Sequence, residues 1–289
     1  LYMRYYFTSR LSASVSGRYA QSPLQEQSFY EGLILNNYRN LSQGFIDYQT
    51  GNSLSGNLNV SYRYPLKTFF ANAGVMRSRT YSPRTANRYF LNEYLLNTYM
   101  PQENYSYIWM LNGSISKGVD FINGIISVRT MFSAFDGSMF QNGKEFPYTS
   151  NSWDITPKIT SRPAKWLNIV YELTYSQNWL EMKNSDLRTS YKKYSQLLSC
   201  NITPSKSWYL QLTGEHYYNE ITQDVSKHLF LADAEFTYSF KSGWEFNLSL
   251  KNIFNQNTYA YTIYDGLTAI SREYRIRPRN VMVGVFFRF

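Results

Sequence analysis

Histidine and cysteine, which often carry acid–base or nucleophilic catalysis, are few in this chain. It contains two histidines, His216 and His228, and one cysteine, Cys200. An outer-membrane phospholipase needs a serine activated by a histidine, and an omptin-like protease needs an Asp–His pair. His228 and Asp224, four residues apart in a predicted loop, are the one candidate pair. Two solvated loop residues are the better interpretation, so we predict no catalytic residues and no enzyme.

Four carboxylates share the polar side of predicted strands and could bind a metal ion. They are Glu172, Glu215, Asp233 and Glu235. The alternative is that they line a wet interior and pair across it with cations. Those cations are Arg18, Arg63, Arg129 and Lys158. We favour the second interpretation, because charges cost little where water fills a barrel. We therefore predict no metal site and no cofactor.

Aromatic residues are the third kind of side chain that could form a functional site here. They make up 18% of the chain, yet its mean hydropathy is −0.44. Rings stack on sugars and on flat apolar ligands, and tyrosine adds a hydrogen-bonding group. The candidate ligand-binding residues in loops or on inward faces are Tyr89, Tyr94, Phe140, Tyr148, Glu172, Tyr209, Glu215 and Tyr261. Loops that pack on one another, or on a surface lipoprotein, are an equally open alternative.

Apolar and polar residues alternate with a period of two along most of the chain. In the last segment Val281, Val283, Val285, Phe287 and Phe289 share one face. Successive side chains of a strand point to opposite faces, so each segment has one apolar surface. We predict strands near 9–19, 52–64, 68–78, 104–116, 121–133, 152–161, 166–178, 192–203, 208–218, 228–240, 244–254 and 276–289. Residues 2–7 could end a thirteenth.

The connections between these strands favour a membrane barrel over a soluble sandwich. Short turns are predicted at 65–67, 117–119, 162–164, 204–206 and 241–243. Longer loops are predicted around 20–51, 78–103, 136–150, 180–190, 219–227 and 255–272. Transmembrane barrels have short periplasmic turns, longer outer loops and aromatic residues at both interfaces. The predicted fold is an all-β, antiparallel up-and-down transmembrane barrel in the bacterial outer membrane.

Charge and hydropathy exclude other classes of protein. The formal net charge is +9, but lysine and arginine are scattered, so we expect no nucleic-acid partner. The longest apolar run, Val281–Phe287, is too short for a transmembrane helix. Residues 1–7 lack the apolar region and cleavage site of a signal peptide. We therefore expect a mature or truncated chain.

The C-terminal region resembles a known family. Residues 247–259, with Asn252-Ile253-Phe254-Asn255 and Tyr259, resemble the penultimate strand of TonB-dependent receptors, although Ile253 stands where leucine is common. The closing stretch 277–289 resembles the final strand of such receptors in Bacteroidota, including the SusC/RagA-like group. Alternate apolar residues ending in phenylalanine also resemble the signal read by the barrel-assembly machinery. Those residues are Val283, Val285, Phe287 and Phe289.

The resemblance implies a function. Such receptors are 22-stranded barrels with an N-terminal plug domain that contacts TonB. Residues 1–289 would then be the C-terminal barrel portion, without the plug, of a receptor that imports a glycan, peptide or metal chelate. Its partners would be outer-membrane lipid, the assembly machinery, TonB through the plug, and a surface lipoprotein. The alternatives are a complete barrel of about twelve strands, acting as a diffusion channel or surface hydrolase, and a non-transporting barrel in a surface assembly.

Overall fold

The computed structural model describes residues 1–22, 30–44, 50–222, 225–265 and 268–287, and most of them lie in strands. The strands are β1 (Tyr2–Tyr6), β2 (Leu11–Ser22), β3 (Leu33–Asn37), β4 (Asn40–Gln43), β5 (Gly51–Tyr64), β6 (Phe69–Ser82), β7 (Thr85–Leu91), β8 (Tyr94–Met100), β9 (Asn104–Val119), β10 (Gly124–Gln141), β11 (Lys144–Ala164), β12 (Leu167–Met182), β13 (Arg188–Ser205), β14 (Trp208–Thr222), β15 (Val225–Ser239), β16 (Trp244–Lys251), β17 (Thr258–Asp265), β18 (Thr268–Arg275) and β19 (Asn280–Phe287). Two 3₁₀ turns, Pro65–Lys67 and Asp120–Ile122, occur in the described part. No helix there is long and apolar enough to cross a membrane.

Thirteen strands form one antiparallel wall in which each is hydrogen-bonded to the next. Their order is β1-β2-β5-β6-β9-β10-β11-β12-β13-β14-β15-β16-β19. The twelve predicted strands are all confirmed, with shifted ends, and the predicted remnant at 2–7 is β1. Strands that neighbour one another in sequence also pair, as expected for an up-and-down barrel.

The two faces of the wall differ in polarity as the alternation predicts. Directly opposite residues share a face, so Cys200, Leu212, Ala234 and Leu250 form one apolar row. The adjacent row on the other face is Asn201, Gln211, Glu235 and Ser249. Large apolar side chains of the first face remain exposed, with Leu198 at 45% and Leu212 at 41%. Such a face is stable only against lipid, which replaces the apolar contacts that a soluble protein finds in its core.

Buried apolar side chains are correspondingly scarce. In the described ranges, only Phe140, Leu180, Met182 and Leu229 are buried hydrophobic residues. A soluble domain of this size would bury many more, because hydrophobic burial is its main source of stability. The wall is therefore one layer thick, with lipid on one side and a wet lumen on the other.

Several predicted loops are wrong, because the strands continue past the membrane. The predicted loop 136–150 is a hairpin that turns at Asn142 and Gly143, whose φ angles are +51° and +77°. Two consecutive residues with positive φ form the turn that matches strand twist. The predicted loops 20–51, 78–103 and 255–272 contain the hairpins β3–β4, β7–β8 and β17–β18. Beyond the bilayer both faces of a strand are wet, so the alternation that reveals a strand disappears.

The wall has two unpaired edges within the described residues. Among the described residues, β1 has a residue-by-residue register with β2 alone and β19 with β16 alone, so no register joins the first strand to the last. An edge strand leaves a row of backbone N–H and C=O groups without partners, which cannot be tolerated against lipid. A closed wall therefore needs a hydrogen-bonding partner for β1 and for β19.

Candidate ligand-binding site

Beyond the wall, the hairpins β3–β4 and β7–β8 pair with each other and with the outer end of the β10–β11 hairpin, and we call this part of the sheet the outer rim. Strand β4 pairs with β8, and β7 pairs with β10, both in parallel. The side chain of Asn87 is fully buried there, and its Oδ1 accepts a hydrogen bond from the Gly143 N–H at 3.4 Å. Asn142 Oδ1 accepts from the Phe90 N–H at 3.0 Å. These bonds hold hairpins from distant parts of the chain in fixed positions.

An open cavity of about 760 Å³ lies between the tips of two hairpins, β3–β4 and β7–β8, and the C-terminal half of β18. We call it the outer cavity. Its lining residues are Asn37, Tyr38, Arg39, Asn40, Phe90, Asn92, Glu93, Tyr94, Leu95, Ser271, Arg272, Glu273 and Tyr274. The lining carries two arginines and two glutamates, so its charges balance. Aromatic rings and amide groups make up most of the remaining lining.

Four tyrosines connect the outer cavity to the lumen face, and we call them the tyrosine ladder. Tyr274 and Tyr261 are stacked with ring centroids 5.9 Å apart, and Tyr261 lies 5.4 Å from Tyr259. Tyr259 in turn lies 6.0 Å from Tyr217 on β14. The Tyr217 hydroxyl donates to Glu215 Oε2 at 2.7 Å. The ladder therefore runs from an extracellular hairpin to a lumen carboxylate.

Arg272 supports the outer end of this ladder. Hydrogen bonds with Tyr261 and Arg272 lower the pKa of Tyr274. Hydrogen bonds with Tyr261 and Tyr274 raise the pKa of Arg272. A second cavity of about 250 Å³ lies beside the ladder and is lined in part by Asn178, Lys192 and Tyr261. Ring faces next to amides and charged groups can bind a ligand that is apolar on its faces and polar at its edges.

The Asn-Ile-Phe-Asn motif fastens the last hairpin to the wall. Asn252 has φ +51° and is 6% exposed. Its Nδ2 donates to the carbonyl oxygens of Gln256 and Arg277, both at 2.8 Å, and its Oδ1 accepts from the Gln256 N–H at 2.9 Å. Asn255, with φ +53°, accepts from the Arg279 N–H at 3.0 Å through Oδ1. The motif therefore ends β16 and fixes the position of the β17–β18 hairpin, which carries part of the tyrosine ladder.

Three of the sequence-predicted ligand residues lie on this path. Tyr94 lines the outer cavity, Tyr261 belongs to the ladder, and Glu215 terminates it. Tyr89 and Tyr148 belong to the outer rim, where Tyr89 is half-buried and Tyr148 packs 5.5 Å from Phe135.

The other three predicted residues lie away from the path. Phe140 is only 5% exposed, so its ring packs inside the outer rim and does not face a ligand. Glu172 forms an ion pair with Lys158 at 3.0 Å on the lumen face. The Tyr209 hydroxyl lies close to Asn201 Oδ1 and Gln211 Oε1, at 3.1 and 3.0 Å, also on the lumen face.

The remaining lumen carboxylates have separate partners. Asp233 pairs with Lys251 at 3.3 Å, and Glu235 accepts a hydrogen bond from Asn247 Nδ2 at 3.4 Å. No group of three or more metal-ligating side chains occurs in the described ranges. Lys158 and Glu172 lie directly opposite each other on neighbouring strands, so their ion pair forms along the wall and not across the interior as predicted.

The two histidines lie together on the lipid-facing side. His216 Nε2 and His228 Nδ1 are 3.0 Å apart, and the His216 ring stacks on Phe230 with centroids 4.1 Å apart. Tyr194 and Tyr218 stack beside them at 4.6 Å, so the histidines belong to an aromatic belt. Asp224, the predicted partner of His228, lies outside the described residues. Sequence reasoning missed the contact between the histidines because it depends on strand register.

Sequence reasoning also missed Tyr217, Tyr259, Tyr274 and Arg272. Tyr259 and Tyr261 are two residues apart, which places both rings on one face of a strand. This spacing was the signal by which sequence reasoning could have found the tyrosine ladder. Of the predicted assembly signal, Val283 and Val285 are 64% and 61% exposed on the apolar face, and Phe287 packs 4.8 Å from Trp244. Phe289 lies outside the described residues.

Comparisons with known proteins establish the fold. No family model and no curated protein matches this chain. A ferric enterobactin receptor from Pseudomonas aeruginosa matches with a TM-score of 0.58 and 11% identity, over 89% of this chain and 42% of the receptor. The ferric yersiniabactin uptake receptor of Yersinia pestis matches with a TM-score of 0.50 and 10% identity, over 100% of this chain and 49% of that one. The chain thus spans less than half the length of these structures, and its fold is a transmembrane β-barrel of the bacterial outer membrane, as predicted.

Proposed function

We propose that this chain is the C-terminal barrel portion of a TonB-dependent receptor that imports a bulky nutrient. One observation carries the proposal: the tyrosine ladder leads from the outer cavity to the lumen side of a wall with two unpaired edges. Strands supplied elsewhere in the receptor would close the wall, and a plug domain would fill the lumen and contact TonB. The likeness to receptors about twice as long supports this arrangement.

The lining of the path favours a neutral ligand, and we propose a glycan. The two arginines of the outer cavity are balanced by two glutamates, so the cavity offers no excess charge to an anion. Sugars present apolar faces to rings and hydroxyl edges to amides and charged groups, which are the groups found here. A peptide or a metal chelate is the alternative cargo. A glycan cargo would agree with the SusC-like, Bacteroidota resemblance of the C-terminal strands.

The partners follow from this assignment. The barrel-assembly machinery would recognise the outward residues of β19, and outer-membrane lipid would cover the apolar face. A surface lipoprotein would cover the outer rim, where exposed groups such as the 79% exposed Tyr38 are available. A passive channel formed by this chain alone is disfavoured, because conduction needs a closed wall.

The test is ligand binding by the purified full-length receptor, using a panel of neutral oligosaccharides and ferric chelates in titration calorimetry. Replacing Tyr261 and Tyr274 together by alanine should weaken binding on the order of tenfold, because two stacking surfaces are lost. The matched control is Tyr19→Ala, which removes a 61% exposed ring on the lipid-facing side of β2.

Each outcome separates a different part of the proposal. Binding of chelates alone would retain transport and overturn the glycan class. Unchanged binding in the double variant would remove the ladder from the transport path. Steady ion conduction by the intact protein, with no bound ligand from either class, would contradict a gated receptor.

A further inference from the structure

Five of the six short turns at the inner end of the wall carry a positive charge. They comprise residues 7–10, 65–68, 120–123, 165–166, 206–207 and 240–243. Five of them contain one cation each, namely Arg10, Lys67, Lys165, Lys206 and Lys241, and the sixth contains Asp120. All five cations are exposed. The outer cavity, by contrast, carries both signs equally.

Aromatic side chains stand at the level of these cations, and those of Trp208 and Trp244 are on the lipid-facing side. Trp166, Trp208 and Trp244 are 46%, 49% and 49% exposed, and Phe240 is 48% exposed. Trp208 and Trp244 begin their strands, so they lie at the level of the turns. Tryptophan and tyrosine at this position sit among lipid headgroups. The cations of the turns are therefore held at headgroup level.

Two of the five cations converge on a single ring. Arg10 Cζ lies 3.6 Å from the centroid of Tyr64, and Lys67 Nζ lies 5.7 Å from the same centroid. Tyr64 is on the lipid-facing side, because it follows Tyr62, the partner of Leu11, by two residues in β5. Within the described ranges, no carboxylate forms an ion pair with Arg10 or Lys67. Two like charges are thus drawn together without a counter-charge.

The backbone holds both cations in place. The Arg63 N–H donates to the Arg10 carbonyl oxygen at 2.8 Å, which fastens the first turn to β5. Lys67 ends the 3₁₀ turn Pro65–Lys67, which is closed by the Thr68 N–H donating to the Pro65 carbonyl oxygen at 2.9 Å. The convergence is therefore built into two adjacent turns.

We infer that Arg10, Tyr64 and Lys67 form a binding site for the phosphate of an anionic phospholipid in the inner leaflet. A guanidinium matches a phosphate with two parallel hydrogen bonds, and an ammonium adds a second positive charge. The neighbouring turn cations Lys165, Lys206 and Lys241 extend the same surface around the inner end. The site requires only the barrel fold and is independent of the transport role.

The experiment measures which lipids the protein retains. The full chain is reconstituted in mixed micelles of phosphatidylcholine with a minor fraction of phosphatidylglycerol, and native mass spectrometry reports the lipids that stay bound. The wild-type protein should retain phosphatidylglycerol in preference to phosphatidylcholine. Replacing Arg10 and Lys67 together by glutamine should reduce that preference about fivefold per cation, or roughly 25-fold in all. Exchanging them as Arg10→Lys with Lys67→Arg should restore most of it.

A matched control removes the same charge at the other end of the wall. Arg84 and Lys144 lie 4.5 Å and 5.7 Å from the rings of Tyr99 and Phe146, at the outer rim. Replacing both by glutamine should leave the preference unchanged. An equal loss in this control would mean that net charge, and not the site, selects the lipid, and would overturn the inference.

Two further results would also overturn it. Equal retention of the two lipids by the wild-type protein would show that no anionic site exists. Displacement of the lipid by millimolar inorganic phosphate would show that free phosphate, and not a lipid headgroup, is the ligand. If the double variant does not refold, Lys67→Gln alone is measured in its place. It should lower the preference for phosphatidylglycerol about fivefold, and an unchanged preference would overturn the inference.

Discussion

At the scale of single residues, asparagine determines where many strands turn. In the described ranges, the non-glycine residues with positive φ are Thr68, Asn92, Asn123, Asn142, Asn252 and Asn255. Asparagine tolerates this conformation because its short amide can bond to the nearby backbone. At Asn252 the side chain makes three such hydrogen bonds while buried, so it joins β16 to the start of the last hairpin.

Replacing Asn252 by alanine should lower the free energy of unfolding by about 3 kcal/mol, because the three side-chain hydrogen bonds are lost and alanine is strained at positive φ. Urea unfolding in lipid vesicles measures the loss. The matched control is Asn92→Ala, which has φ +53° at an exposed hairpin tip and should cost about 1 kcal/mol. Equal losses at the two positions would show that the hydrogen bonds of Asn252 contribute nothing.

At the scale of the element, consecutive residues of a wall strand face different solvents, one lipid and the next water. On β13, Leu198 pairs with Tyr171 and Gly214 on the apolar face, whereas Ser199 pairs with Val170 and Thr213 on the other face. The backbone environment of these neighbours is the same. Only the solvent that each side chain meets is different.

The variant Leu198→Lys should therefore destabilise the barrel by about 2–4 kcal/mol, because it places a charge against the hydrocarbon. Ser199→Lys should change stability by less than about 1 kcal/mol, because its ammonium reaches lumen water. Reversible unfolding from vesicles compares the two. A larger cost at Ser199 than at Leu198 would mean that the assignment of the two faces is inverted.

At the scale of the whole molecule, the open wall is the dominant feature. Thirteen strands lie side by side, yet the amides of β1 and β19 face no further strand in the described part. The interior strands have a partner on each side, so their amides are protected from exchange.

Deuterium exchange of the isolated chain in micelles should be fastest at Tyr2–Tyr6 and Asn280–Phe287 and slowest in the centres of β12 and β13, because exchange requires broken or absent hydrogen bonds. Mass spectrometry of peptides resolves these segments. If the chain is the barrel portion of a longer receptor, as proposed, both edges should become protected in that receptor. Uniform protection in the isolated chain would indicate that β1 and β19 pair with each other and that the wall is closed.

The amino-acid sequence by itself determined the wall strands, their two faces and the solvent that each face meets. Period-two alternation, as in Val281, Val283 and Val285, is a local property that needs no knowledge of neighbours. Rings beside the short turns likewise mark the membrane interfaces, because an interface selects residue types wherever a strand crosses it. The fold class, the location and twelve of the thirteen wall strands followed from these local signals.

Only the tertiary structure decided the outer rim, the tyrosine ladder and the open edges. Outside the bilayer both faces of a strand are wet, so β7, β8 and the outer part of β10 carry no alternation that would reveal them. The contact of Tyr217 with Tyr259 and the convergence of Arg10 and Lys67 on Tyr64 join residues from different strands or turns. Such contacts depend on strand register and on turn geometry, and neither is encoded in the spacing of any one segment.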